Sequence, residues 1–129
     1  MKIYVGHSKE LNFEEELYHP LRQSNLNSEH EIIFPHENNH KDAGFVTRDV
    51  IKNCDLMLAE VSFPATGLGI ELGWADSFGR PIICIHRNRA RLSGSLKIIC
   101  NNFIVYTDKH DLIDKLTLTL NSYDRRKKI

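Results

Sequence analysis

Residues 54–75 read CDLMLAEVSFPATGLGIELGWA, and this stretch decides the fold. Leu56, Met57, Leu58 and Ala59 form an apolar strand that ends in Glu60 and a turn at Pro64. Gly67 and Gly69 then lead into a helix, with Glu71 in its opening turns. A carboxylate placed just beyond the carboxyl end of a buried strand occupies the usual ligand crevice of an open α/β sheet. Exposed amides and the dipole at the helix N-terminus are expected to keep it ionised. That is the setting of a nucleophile or a base.

Outward from this unit, strands and helices alternate. Lys2–Val5 reads as a first strand, followed by a Gly6-His7-Ser8 loop, and Asn12–Gln23 as an amphipathic helix with acid in its first turn. Pro20 inside that helix is expected to kink or shorten it. A second strand spans Glu31–Pro35 and is followed by the polar loop HENNHKD. A helix covers Phe45–Asn53, the third strand Asp55–Val61, and the next helix Gly67–Phe78. Strands at Ile82–His86 and Phe103–Tyr106 flank a short apolar stretch at Leu96–Cys100, and a helix at Asp111–Tyr123 closes the chain.

This alternation predicts an α/β fold, a small doubly wound five-stranded parallel sheet with the flavodoxin-like order 2-1-3-4-5. The crevice then gathers the loops after strands one, three and four. At 129 residues, residues 1–129 form one domain.

Seventeen basic and seventeen acidic residues cancel, so no global field draws the chain to nucleic acid. The one charge run, Arg125 to Lys128, reads as a solvated, frayed tail. The chain opens on MKIYV with no long apolar stretch, and no membrane association is expected. Cys54, Cys84 and Cys100 form no CxxC pair and read as buried thiols, which points to a reducing, cytoplasmic setting.

Several motifs admit a plain reading beside a functional one. The run Gly67-Leu-Gly69-Ile-Glu-Leu-Gly73 fails as a dinucleotide fingerprint, because its third glycine comes one residue late and it follows the third strand. Gly67 and Gly69 would let a ligand approach the backbone, or would merely serve a tight turn; Gly73 would allow close helix–sheet packing. Glu71 itself is a functional carboxylate or a surface glutamate on the residues alone. His36 and His40, with Glu37 between them, read as a solvated loop and not a metal site. His7 reads as a loop histidine bonded to backbone. Trp74 and Phe78 read as core or interface.

Three stretches carry a family likeness: Ile3 to Ser8, Cys54 to Ser62 with Pro64 and Gly67 to Ala75, and Arg80 to Cys84 with Leu92-Ser93. On these the chain resembles the nucleoside 2-deoxyribosyltransferase superfamily, most of all its 2′-deoxynucleoside 5′-phosphate N-glycosidase branch. The resemblance implies a flavodoxin-like fold, no cofactor, no metal, a nucleoside or nucleotide substrate, and a homodimer or higher homo-oligomer. It implies that Glu71 is the nucleophile attacking the anomeric carbon, with Tyr4 beside it. Gly6, His7, Ser8, Pro64, Thr66, Gly67, Gly69 and Ser93 would bind substrate, Ser93 by reaching a neighbouring subunit's phosphate site.

Two positions depart from the family pattern. Thr47 stands where the family has an aspartate thought to protonate the leaving base, leaving His7, Glu37 or Asp49 to substitute. Ala65 stands where a serine contacts phosphate, with Thr66 beside it. These departures motivate an alternative, a nucleotide-binding or sensing module that kept the pocket and lost catalysis. A receiver domain is a poor fit, since Gly6-His7-Ser8 offers no paired acids.

Overall fold

The computed structural model describes residues 1–37 and 46–128, with side chains of the closing helix described as far as Tyr123. Five parallel strands form one sheet in the order β2-β1-β3-β4-β5, as expected. They are β1 (Lys2–His7), β2 (Glu31–Ile33), β3 (Leu56–Glu60), β4 (Ile82–Arg87) and β5 (Phe103–Tyr106). The helices are α1 (His19–Gln23), α2 (Leu26–Glu29), α3 (Thr47–Asn53), α4 (Thr66–Ser77), α5 (Leu96–Ile99) and α6 (Lys109–Lys128).

Alternation of side chains along each strand sorts the core into two layers. Ile3, Val5, Leu56, Leu58, Ile83 and Ile85 face the first helical segments and α6. Tyr4, Met57, Ala59, Ile82 and Cys84 face α3 and α4, where they meet Ile51, Leu68, Leu72 and Ala75. All five residues of β3 are buried, the signature of a central strand covered on both faces.

The structure corrects several sequence boundaries. Gly6 and His7 belong to β1, not to the loop after it, because their backbones pair with Ala59 and Glu60 of β3. The second strand stops at Ile33. Phe34 leaves the ladder, is fully buried and stacks on Tyr18 at 4.0 Å. The expected Asn12–Gln23 helix is a π-helical turn at Glu14–Tyr18 running into α1. Pro20 accounts for this, since it has no N–H to donate and its ring collides with the carbonyl four residues back, so the preceding turn widens. The C-terminal segment continues as helix to Lys128, while the start of the Phe45 helix, His40 and the side chains of the Arg125–Lys128 run lie outside the described residues.

All three cysteines are free and buried. No helix among the described residues is long and apolar enough to cross a membrane.

The packing of α6 makes a direct prediction. Leu116 is fully buried and Leu118, half a turn away, is 73% exposed. Leu116→Ala should cost about 2–5 kcal/mol in chemical denaturation. Leu118→Ala should stay within about 0.5 kcal/mol.

Candidate active site

Tyr4 and Gly6 stand two apart on β1 and so face the same side of the sheet, under α4. Glu71 sits on α4's second turn, one residue before buried Leu72, which turns its side chain back toward β1. The result is a hydrogen bond from the Tyr4 hydroxyl to Glu71 Oε1 at 2.9 Å, linking residues 67 apart in sequence. Among the described residues no other group bonds the carboxylate, and no arginine is paired with it.

Gly6 makes room for this contact. A Cβ built on it would stand 3.0 Å from Glu71 Oε1, 2.8 Å from Met57 Cε and 3.1 Å from Leu68 Cδ1. Any side chain at residue 6 would therefore push the carboxylate or the methionine aside. Gly67, Gly69 and Gly73 behave differently: a Cβ on any of them meets nothing within 4 Å. The close helix–sheet packing expected at Gly73 is thus absent, because that residue lies on the exposed side of α4.

The electrostatics also depart from expectation. Burial raises the Glu71 carboxyl above its ordinary value of 4.5, and the Tyr4 hydrogen bond offsets this only in part. The helix dipole was expected to hold the group ionised, but loss of water around the side chain outweighs it. Tyr4 is pushed far above the ordinary phenol value, by burial first and by the neighbouring carboxylate second. It is a neutral phenol and a hydrogen-bond donor, not a base.

His7 follows the alternation to the opposite face. Its ring lies 4.6 Å from Phe13 and 5.2 Å from Tyr18, and the side chain is only 6% exposed. Nδ1 lies 2.9 Å from the Ser8 carbonyl oxygen, which can only accept, so Nδ1 carries the hydrogen. Nε2 then accepts from the Tyr18 hydroxyl at 2.6 Å, and Tyr18 in turn accepts from the His36 amide at 3.2 Å. Burial lowers the His7 imidazole to about 4. The backbone bond expected of His7 is present, but the ring is neutral, buried and turned from Glu71. Ser8, 3% exposed, accepts the Glu10 amide on its hydroxyl.

The other two candidate acids are also engaged. Glu37 receives Arg22 through two hydrogen bonds, Nη2 to Oε1 at 2.6 Å and Nε to Oε2 at 3.1 Å. Asp49 is exposed on α3 and lies 3.9 Å from Arg48. Thr47 is the first residue of α3. Among the described residues no group of three or more His, Cys, Asp or Glu side chains could hold a metal.

A cavity of about 480 Å³ opens between the N-terminal end of α4 and the β4–α5 segment. Pro64, Thr66, Gly69 and Ser93 line it, together with Phe63 and Leu96 among others. Four of the expected substrate residues are therefore brought together, with Ser93 in the same chain as Thr66. Tyr4, Gly6 and Glu71 form a second group. Leu68 belongs to both, lining the cavity while its Cδ1 stands beside Gly6. Gly67 is exposed on α4 and lines neither.

Glu60, read only as the end of a strand, is a second carboxylate with an organised setting. It is 1% exposed and accepts hydrogen bonds from the Ser62 amide (2.6 Å), the Ser62 hydroxyl (2.9 Å) and the Tyr106 hydroxyl. Ser62 also receives the Arg87 amide at 2.8 Å. The ends of β3, β4 and β5 are thereby tied together beneath the loop that leads to Thr66. The signal for it was its place in the strand: alternation puts Glu60 on the same side as Leu56 and Leu58, inside the protein.

No family model matches the chain. Over 37 residues, 29% of its length, it is 43% identical to the 5-hydroxymethyl-dUMP N-hydrolases of Mus musculus and Rattus norvegicus. That stretch spans 21% and 23% of those proteins. The fold is similar to a CMP N-glycosidase from Clostridium botulinum, with a TM-score of 0.64 at 22% identity over 91% of this chain and 99% of that one. It is similar to a 2-deoxyribosyltransferase from Bacillus psychrosaccharolyticus, at 0.63 and 21% over 88% and 90%. A conserved protein of Enterococcus faecalis V583 gives 0.58 and 20% over 92% and 98%. At these identities the structural likeness is one of fold. The resemblance read from the sequence is met by a partial match to 5-hydroxymethyl-dUMP N-hydrolases and by a fold shared with a CMP N-glycosidase and a 2-deoxyribosyltransferase.

The raised Glu71 carboxyl has a signed consequence for stability. Protonated, the buried group favours the folded state, and this contribution is fully present below its unfolded value near 4.5. It is lost as pH rises through the higher folded value. Denaturation of wild type and Glu71→Gln across pH should show wild type losing stability relative to the variant as pH is raised from 4.5. A difference that stays flat with pH would contradict the burial argument.

Proposed function

We propose that this chain cleaves the base–sugar bond of a nucleoside or its 5′-monophosphate, with Glu71 as nucleophile. One observation carries the reading: the Tyr4 hydroxyl holds Glu71 Oε1 at 2.9 Å in a desolvated notch opened by Gly6. The phenol takes one carboxylate oxygen and fixes the plane of the group, leaving Oε2 as the attacking atom. A partly desolvated carboxylate is the more reactive for being poorly hydrated.

The chemistry follows that of retaining glycosidases. Oε2 bonds to the anomeric carbon as the carbon–nitrogen bond breaks and the base leaves with the bonding pair, taking up a proton. The glycosyl ester is then resolved by water, in hydrolysis, or by a second base, in transfer. No cofactor enters these steps. Pro64, Thr66, Gly69 and Ser93 line the cavity on the other flank of Leu68, where the rest of the substrate would lie. Residues 1–129 act as one domain in this reading, as a homodimer or larger homo-oligomer in the cytoplasm.

A second reading, a binding or sensing module without turnover, is favoured by one observation. Each replacement acid has other employment: His7 bonds Ser8 and Tyr18, Glu37 is paired with Arg22, and Asp49 stands beside Arg48.

Incubation with deoxynucleosides and their monophosphates, followed by chromatography of the free base, tests the proposal. Base release is expected, and none at near-stoichiometric enzyme would overturn it. Glu71→Ala should lower the rate by roughly 10⁴-fold or more. Tyr4→Phe, which removes one buried hydrogen bond, should lower it by roughly tenfold. The rate should also fall on the acid side at a pH above 4.5, where Glu71 takes up its proton.

A further inference from the structure

The glycosidase reading leaves the three buried thiols unused, and two of them stand together. Cys84 lies on β4 and Cys100 directly follows α5, and both side chains belong to the core layer under α4. The Asn102 carbonyl ties them, accepting the Cys84 amide at 2.9 Å and lying 3.3 Å from Cys100 Sγ. Cys100 Sγ also lies 3.1 Å from the carbonyl of Ile82, two residues before Cys84 on the same strand face. Cys54 is elsewhere, after α3, with its thiol on the Ile51 carbonyl at 3.1 Å.

The two sulfurs are not equivalent. Hydrogen bonding between the thiols comes first at each, pulling Cys100 down to about 6 and pushing Cys84 up, with burial adding to the rise at Cys84. The Asn102 amide, 3.4 Å from Cys100 Sγ, is a further donor to that sulfur. Cys100 is therefore the more nucleophilic member and Cys84 the thiol beside it. Burial pushes the Cys54 thiol up, and no second sulfur accompanies it. A nucleophilic sulfur with a second thiol in reach is the arrangement that oxidation converts to a disulfide.

Cys84 is fully buried and Cys100 is 6% exposed, so Cys100 is the sulfur a small oxidant reaches first. Its cover is α5, four residues with none of them buried and with Ile98 85% exposed. So short a helix rests on few backbone bonds, among them Ile98 on Ser95 at 3.1 Å and Cys100 on Leu96 at 3.0 Å, and opens locally at small cost. Leu96 and Ile99 of this helix line the cavity beside α4. A covalent link at Cys100 thus acts on one wall of that cavity.

We propose that Cys84 and Cys100 are a peroxide-sensitive pair, converted by hydrogen peroxide to a disulfide that pins α5 to β4 and fixes the α5 wall of the cavity. The Cys100 sulfur attacks one peroxide oxygen, the O–O bond breaks, and water leaves with the thiol proton, giving a sulfenic acid. The Cys84 sulfur then attacks the Cys100 sulfur, the S–O bond breaks, and a second water leaves with the Cys84 proton. Two thiols are oxidised to one disulfide while one peroxide is reduced to two waters. The site stands apart from the glycosidase reading.

Non-reducing peptide mapping of the folded full chain after hydrogen peroxide tests this. A linked peptide pair carrying Cys84 and Cys100, lighter by two hydrogen atoms, is expected and should disappear with dithiothreitol. In Cys84→Ala, which removes the second sulfur, dimedone should trap the sulfenic acid on Cys100 roughly tenfold or more above Cys54, whose thiol is held protonated. Cys54→Ala should form the same link as wild type. In the oxidised wild type, amide exchange at residues 97–100 should slow about tenfold or more, since the closed loop opposes local opening. No linked pair from the folded chain, a link through Cys54, or dimedone on Cys54 in preference to Cys100 overturns the proposal. A link that leaves exchange in α5 unchanged overturns its action on the cavity wall. The wild-type map decides the pairing whether or not the alanine variants fold.

Discussion

The bond from Tyr4 to Glu71 depends on a missing atom. Residue 6 lies against the carboxylate, and a Cβ there would come within 3.0 Å of its oxygen and 2.8 Å of Met57 Cε. Glycine leaves a notch, the carboxylate enters it, and the phenol two residues earlier on the same strand face meets it at 2.9 Å. The carboxyl is partly buried there, so it is raised above its ordinary value and the phenol stays neutral. Sheet periodicity, the register of β1 on β3 and the setting of α4 all act through this one small space.

The two faces of the sheet divide the work. Under α4 lie Tyr4, Gly6, Glu71 and Leu68, with the cavity beyond. On the other face His7, Tyr18 and Phe13 form an aromatic group, and Glu60, Tyr106 and Ser62 tie the strand ends. Three hydrogen bonds, from the Ser62 amide and hydroxyl and the Tyr106 hydroxyl, are what make a buried carboxylate such as Glu60 tolerable. Burial and the Glu60 carboxylate both push the Tyr106 phenol upward, so it remains a donor. This network anchors the loop of Ser62 to Ala65 from below, and that loop sets where α4 begins.

Much of this was legible from the residues. The apolar run of β3 and the alternation of strands with helices fix a doubly wound sheet, because parallel central strands must be covered on both sides. The prominence of Glu71 followed from its place after β3, and its pairing with Tyr4 from the family likeness. What could not be read was direction. His7 reads as part of the crevice loop after the first strand, yet it belongs to β1, and an odd number of steps along that strand from Tyr4 sends it to the opposite face. The helix dipole suggested a readily ionised Glu71, but burial is a property of packing and prevailed. Glu60 looked like a terminus and is a buried hub, which only the partners Ser62 and Tyr106 reveal.

Titration of the Glu71 side-chain carboxyl by carbon-13 NMR, in wild type and in Tyr4→Phe, addresses the central claim most directly. The structure requires a midpoint above 4.5 in wild type, since burial dominates, and a further rise in the variant, since the phenol's hydrogen bond is the one stabilising the ionised form. A carboxyl that titrates at the ordinary value and ignores the loss of the phenol would show a solvated glutamate, with no notch around it and no role for Tyr4.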